Sequence, residues 1–318
     1  QKRLVLATIS RLLATTVVHG ALPGSVHGRA YIVDLVQQAV FNPLQASFDD
    51  IEWVGEEGGR GFRGIAFDGE TIYLAASNRL LAYDHQFRLL DSWENPCLVN
   101  GRGLCVHEGR LYLVSAGNDC VLGFDLENKT FDWALHVRSE RFQFSPVTFD
   151  PARGETPLEV SKLHLRTVEC DKGGMRLCGD RSGGVLHFNG STVLMSAELP
   201  AGARNAHFFR NGVVFNDSRA GVVRYAGNDE GYEDRAIAVP YFDASDHQPH
   251  DTDETRCVKR GFAQGLALLS GRTVAGGSTP AAVSIYDLRE GQRLAKIQFS
   301  KNVREAVNSI AALPPAAA

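Results

Sequence analysis

Three arginines, Arg63, Arg102 and Arg166, and three amides, Asn205, Gln264 and Asn308, hold the same place in six short apolar segments of this 318-residue chain. A guanidinium cannot shed its proton, and its planar fork matches a carboxylate or a phosphate. Two such groups about 6 Å apart repel by roughly 3 kcal/mol at an effective dielectric near 20. Arginines gathered at one place therefore require a negative partner, either an anionic ligand or acidic side chains of the protein. Asp119, Asp180, Asn216 and Asp217, in the turns after the second strand of several repeats, are the internal candidates. Arg204, next to Asn205, can join the cluster. His164 lies two residues before Arg166 and shares its strand face. With Asp217 it forms a candidate acid–base pair.

Other chemistry has a weaker signature. The loop DHQPHD (246–251) sets His247 and His250 between carboxylates, a pattern that suits a divalent metal. A metal reading would use His164, Asn205, Asp217, His247 and His250. A solvated acidic loop accounts for the same residues, so no metal ligand is assigned. His207 reads as a core histidine with its polar atoms satisfied. No glycine-rich phosphate loop follows a strand and opens a helix, and no GxSxG occurs. The expected cofactor set is therefore empty, and nucleotide-dependent redox chemistry is disfavoured.

The elements that must position these residues form a repeat. Its first strands read GFRGIAF (61–67), NGRGLCV (100–106), HLRTVEC (164–170), ARNAHFF (203–209) and FAQGLAL (262–268). Third strands close on Tyr83, Phe124, Phe188, Tyr225 and Tyr286. The intervals from Arg63, Arg102, Arg166, Asn205 and Gln264 to these aromatics are 20, 22, 22, 20 and 22 residues. Near-constant spacing preserves the two-residue alternation that keeps one face apolar. A sixth unit is split: 305–313 has the first-strand pattern, 4–10 reads as its second strand, and 29–34 and 37–44 read as its third and fourth.

Four-stranded repeats of about 40 residues indicate a propeller. The predicted fold is all-β, a single six-bladed β-propeller domain over 1–318 with four-stranded blades. One blade, 1–50 plus 303–314, is closed by pairing of N- and C-terminal strands, which leaves no free edge. First-strand positions are separated by 39, 64, 39, 59 and 44 residues. The two long intervals place insertions near 137–161 and 238–258. With a long connection at 11–28 they are expected on one face, at the mouth of a central channel lined by the first strands. Long loops on a rigid scaffold commonly carry function.

Composition narrows the partners. A net charge of −4 gives no general attraction to nucleic acid or acidic membranes. No run approaches the roughly 20 apolar residues of a membrane span. The apolar stretch 4–18 follows Lys2 and Arg3, yet it contains Arg11 and four Ser or Thr residues, and is read as strand rather than signal peptide. Six cysteines (97, 105, 120, 170, 178 and 257) form no CxxC and read as reduced thiols. A cytoplasmic location is expected.

Together LHLRTV (163–168), RNAHFF (204–209), FNDSRAGVVRY (215–225), GFAQGLAL (261–268) and AVNSIAAL (306–313) resemble six-bladed propellers of the NHL and gluconolactonase type. The resemblance runs from about residue 53 to 313. It is nearest to a bacterial propeller group with histidine-rich channel motifs. It implies a histidine-bound metal, but Arg102, Arg204 and Asn308 stand where that group has histidine, and Arg166 where it has asparagine. His164 alone of that set remains. In the gluconolactonase branch an acidic and amide calcium site is implied, which Asn205, Asn216 and Asp217 match in part.

The expected function is a small-molecule enzyme binding a carboxylate or phosphate substrate at the channel mouth. Arg63, Arg102, Arg166, Arg204, Asn205, Gln264, Asn308, Asp180 and Asn216 would bind it, with His164 and Asp217 moving protons. Lyase, isomerase, cyclase or hydrolase chemistry without a metal would suit that set. The alternatives are a non-catalytic ligand-binding or scaffold propeller that lost an ancestral metal site, and a divalent-metal hydrolase or lyase.

Overall fold

The structure, a computed structural model, describes residues 9–22, 24–47, 61–141, 143–154, 157, 161–227, 229–240 and 262–314. In chain order the strands are β1 (Arg11–Val18), β2 (Gly28–Asp34), β3 (Ala39–Ala46), β4 (Phe62–Asp68), β5 (Thr71–Ala76), β6 (Arg79–Tyr83), β7 (Leu89–Glu94), β8 (Gly101–His107), β9 (Arg110–Ser115), β10 (Cys120–Asp125), β11 (Thr130–Glu140) and β12 (Gln143–Phe149). There follow β13 (Leu165–Asp171), β14 (Gly174–Gly179), β15 (Gly184–Phe188), β16 (Val193–Glu198), β17 (Ala203–Phe209), β18 (Gly212–Asp217), β19 (Val222–Gly227), β20 (Arg235–Ala238), β21 (Leu266–Leu268), β22 (Thr273–Ser278), β23 (Ala282–Asp287), β24 (Gln292–Gln298) and β25 (Glu305–Ala312). A single 3₁₀ turn, Pro151–Arg153, is the only helical piece among the described residues. No helix among them is long and apolar enough to cross a membrane.

The strands form six antiparallel sheets. Five have four strands, and the sheet β8–β12 has five. This is a six-bladed β-propeller, and the blade β25-β1-β2-β3 joins the two ends of the chain. The chain divides into two compact units, Gln1–Ser47 with Ala206–Ala318, and Phe48–Asn205.

Each blade is built by the same local physics. The closing aromatics Tyr83, Phe124, Phe188, Tyr225 and Tyr286 are all buried. Phe62 meets Tyr83 edge-on with ring centroids 6.4 Å apart, and Phe209 meets Tyr225 edge-on at 5.9 Å, the arrangement aromatic quadrupoles favour. In four blades the residue after the third-strand core position is Asp or Asn, and it bends the chain into the fourth strand. Asp84 accepts from the backbone N–H groups of Gln86 and Arg88, Asp125 from Glu127 and Asn128, Asn189 from Ser191 and Thr192, and Asp287 from Arg289 and Glu290. Asp34 does the same for Val36 and Gln37 in the closing blade. These side chains satisfy donors that the turn would otherwise leave without a partner.

The closing blade is pinned by one buried acid. Glu305, at the start of β25, has no exposed surface. It accepts hydrogen bonds from Thr16 on β1 at 2.9 Å, and from Arg29 at 2.7 Å and Tyr31 at 2.9 Å on β2. One carboxylate from the end of the chain thus engages both strands from its beginning. Burial raises the Tyr31 pKa, and the Glu305 charge raises it further, so the phenol remains a donor.

Two expectations about the repeat are corrected. The strand paired with β25 is Arg11–Val18, not the similar run 4–10, and the connection expected at 11–28 shrinks to 19–27. Both runs are apolar, and every residue of β1 after Arg11 is buried. A strand covered on both faces loses the alternation that would have marked it. The second correction concerns 137–161. Much of that segment is strand: β11 extends to Glu140, and β12 adds a fifth strand through pairs from Ala134↔Phe149 to Glu140↔Gln143. The insertion at 238–258 falls almost wholly outside the described residues.

Glu305→Ala should lower stability by about 3–5 kcal/mol, because it strands the Arg29 charge against the sheet. Urea unfolding would read this as a lowered midpoint. An unchanged midpoint would show that Glu305 does not hold the closing blade.

Candidate functional site

The arginines sit where the innermost strands break their ladders. In β4, Phe62 pairs with Ala76 and Gly64 with Ala75, so Arg63 is an extra residue in the ladder. In β13, Leu165 pairs with Gly179 and Thr167 with Cys178, which leaves Arg166 extra. In β8, Arg102 and Gly103 together oppose one residue of β9, between the pairs Gly101↔Ser115 and Leu104↔Leu113. Asn308 is the extra residue of β25, between Thr15↔Ser309 and Thr16↔Val307. A bulge frees a side chain from the in–out alternation and re-aims it. The spacing argument found these positions without identifying the irregularity that sets them apart.

Within the unit Phe48–Asn205, β4, β8 and β13 are successive neighbours held very close. A Cβ added at Gly64 would run into the Arg102 carbonyl, and one at Gly103 would lie 2.7 Å from the Arg166 carbonyl and 3.0 Å from Thr167 Cα. The glycine after Arg63 and after Arg102 is what lets each arginine-bearing strand meet the next. Arg63, Arg102 and Arg166 are 4%, 3% and 6% exposed. Arg63 Nη1 donates to Asn100 Oδ1 on the approach to the next inner strand, at 2.8 Å.

Asp180, just past β14, gathers the charged residues. Arg166 donates to Asp180 Oδ2 from Nε at 2.6 Å and from Nη2 at 2.5 Å. Arg204 spans both oxygens, with Nε 2.7 Å from Oδ1 and Nη2 3.1 Å from Oδ2. His164 Nδ1 lies 3.2 Å from Oδ2. Burial alone would raise the Asp180 pKa. The His164 hydrogen bond and the Arg166 and Arg204 charges outweigh it and hold the carboxyl well below the usual carboxylate range. An ionised carboxylate only accepts, so Nδ1 of His164 is the donor in this contact. The His164 side chain is 22% exposed, the most open of the four.

A second buried aspartate positions that histidine. Asp119 accepts from Ser161 Oγ at 2.9 Å and from the backbone N–H groups of Lys162, Leu163 and Leu165 at 2.6, 2.7 and 3.2 Å. It was an expected arginine partner, but its oxygens anchor the chain on either side of His164 instead. His164 itself has φ 52°, as Asn100 has φ 57° at the matching place before β8. Asn and His are among the non-glycine residues that tolerate this left-handed conformation best.

The remaining predicted residues have other surroundings. Asn205 has φ 50° and is half-buried. Asn216, Asp217, Gln264 and Asn308 belong to the unit Gln1–Ser47 with Ala206–Ala318. There Asn216 Nδ2 donates to the Gly265 carbonyl at 3.2 Å, and Asp217 Oδ1 accepts from Ala220 N–H at 2.9 Å and shapes a turn. Gln264 is buried just ahead of β21, not within a strand. His207 Nε2 lies 3.1 Å from the Leu266 carbonyl. The carboxylate observed against His164 is thus that of Asp180. His247 and His250 lie outside the described residues. Among the described residues no three His, Cys, Asp or Glu side chains are grouped as metal ligands.

Solved structures share the architecture. A Bacteroides caccae protein of unknown function is similar with a TM-score of 0.57 and 12% identity, over 95% of this chain and 98% of its own. A chain of the nidogen/laminin complex is similar with a TM-score of 0.56 and 10% identity, over 94% and 97%. A Bacteroides fragilis protein assigned by inference as a 6-phosphogluconolactonase has a TM-score of 0.50 and 9% identity, over 91% and 82%. The kinship is one of fold. No protein-family model and no curated protein matches the sequence.

Two outcomes follow from this geometry. The Asp180 pKa is lower folded than unfolded, so its contribution to stability is complete above about pH 4 and is lost as pH falls toward the folded pKa. Asp180→Asn should flatten the acid side of the stability curve, read from urea midpoints between about pH 5 and pH 2; equal slopes in both proteins would contradict the assignment. Gly103→Ala forces a methyl against the Arg166 backbone and should cost about 1–3 kcal/mol, measured as a shift in the same midpoint.

Proposed function

We propose that this protein is a small-molecule enzyme acting on an anionic substrate, one bearing a carboxylate or phosphate, with His164 as its proton-transfer group. The observation that carries the reading is the contact of His164 Nδ1 with an Asp180 carboxylate kept ionised by Arg166 and Arg204. A base whose far nitrogen is oriented by a carboxylate is the arrangement general-base catalysis requires. The adjoining guanidiniums raise the local positive potential, which favours an anionic substrate and stabilises negative charge as it develops.

Lyases, isomerases, cyclases and hydrolases all use such a base. Hydrolysis of a phosphorylated sugar lactone comes first for assay, because one similar structure carries that assignment. His164 would accept a proton from water at Nε2 as the oxygen attacks the lactone carbonyl, and return it to the ring oxygen as the ester bond opens.

A second reading has its own support. Asp180, Asp119 and Asn100 supply internal partners to this cluster, as expected of a ligand-binding or scaffold propeller in which polar groups fix the blades.

His164→Gln distinguishes the two. An enzyme should lose about 10²–10⁴-fold in turnover of the phosphorylated lactone, followed by acid release at constant pH, with its unfolding midpoint nearly unchanged. Turnover equal to wild type in the variant would remove His164 from the mechanism. Absence of turnover in the wild type, with inorganic phosphate failing to bind in calorimetry, would favour the scaffold.

A further inference from the structure

Beyond the Asp180 cluster, the unit Phe48–Asn205 holds a pair of thiols that the proposed reaction does not use. Cys105 lies on β8 and Cys170 on β13, the two inner strands pressed together at Gly103. A Cβ at Gly103 would stand 3.3 Å from Val168 N. Two residues farther along each strand, on the same faces, come Cys105 and Cys170. Both side chains pack against the same buried cluster, beside Leu165, Val168 and Leu177, and each perturbs the ionisation of the other. Both are free thiols and both are partly exposed. Cys97, Cys120 and Cys178, by contrast, are buried.

We propose that Cys105 and Cys170 form a redox site that closes reversibly into a disulfide between neighbouring blades, with hydrogen peroxide as oxidant.

The two thiols are not equivalent. The neighbouring Cys170 lowers the Cys105 pKa against the opposing effect of burial, whereas Cys105 and burial both raise that of Cys170. Cys105 is therefore the attacking sulfur and Cys170 the resolving one. The Cys105 thiolate attacks one peroxide oxygen, the O–O bond breaks, and the leaving hydroxide takes up a proton as water. The Cys170 sulfur then attacks the Cys105 sulfenic sulfur, the S–O bond breaks, and the second hydroxide leaves with the Cys170 proton as water. Two thiols are oxidised, one peroxide is reduced to two waters, and a thiol reductant restores the pair. The new bond would tie β8 to β13, the strands that carry Arg102 and Arg166.

The test uses the full chain treated with hydrogen peroxide, alkylated under denaturing conditions and digested for mass spectrometry. The expected result is loss of two titratable thiols of the six and one cross-linked peptide containing Cys105 and Cys170, two hydrogens lighter than its parts and released by dithiothreitol. Cys105→Ser should abolish the cross-link, and Cys170→Ser should leave Cys105 as a sulfenic acid trapped by dimedone. The idea is overturned if both thiols of the wild-type protein remain alkylatable after peroxide, if they advance to sulfinic acid without cross-linking, or if the cross-link joins other cysteines.

Discussion

A bulge in four of the inner strands sets the placement of the buried arginines. A regular strand would commit every second side chain to the packing between blades. The extra residue in β4, β8 and β13 escapes that commitment, and the same device recurs at Asn308 in β25. The bulges allow three guanidiniums to be buried in one unit without occupying hydrophobic positions. Gly64 and Gly103 complete the arrangement, because their missing side chains let adjacent inner strands make backbone contact.

Concentrated positive charge must be met by something, and here Asp180 meets part of it. Its two oxygens receive two arginines and a histidine. The connection is indirect: the arginines keep the carboxylate charged, and the carboxylate holds the histidine through Nδ1. Asp119 fixes the backbone that carries the histidine. Two acids thus link the neutralising of buried arginine to the placing of one histidine.

Much of this was legible in the residues. The spacing from the inner-strand arginine or amide to the closing aromatic gave the blade count. The split blade was readable because only a C-terminal first strand lacked its successors. Three things were hidden. Strand β1 is buried on both faces, so its register had no alternation to reveal it. The bulges are shifts of register, a property of two strands together that neither shows alone. The His164 partner was hidden for a similar reason: Asp180 and Asp217 both lie at the end of a second strand and look alike. Their roles separate only when one is seen against two arginines and the other closing a turn at Ala220.

The closing blade also has a consequence for how the protein is made. Thr16 and its partner Glu305 are 289 residues apart. At about 5–20 residues per second, a ribosome needs roughly 15–60 s to deliver the second after the first. Through that interval β1 has an exposed edge, apolar on both faces, with no strand to cover it. Nascent chains of this protein should therefore be good clients for factors that shield strand edges, and stalled ones should be prone to aggregate.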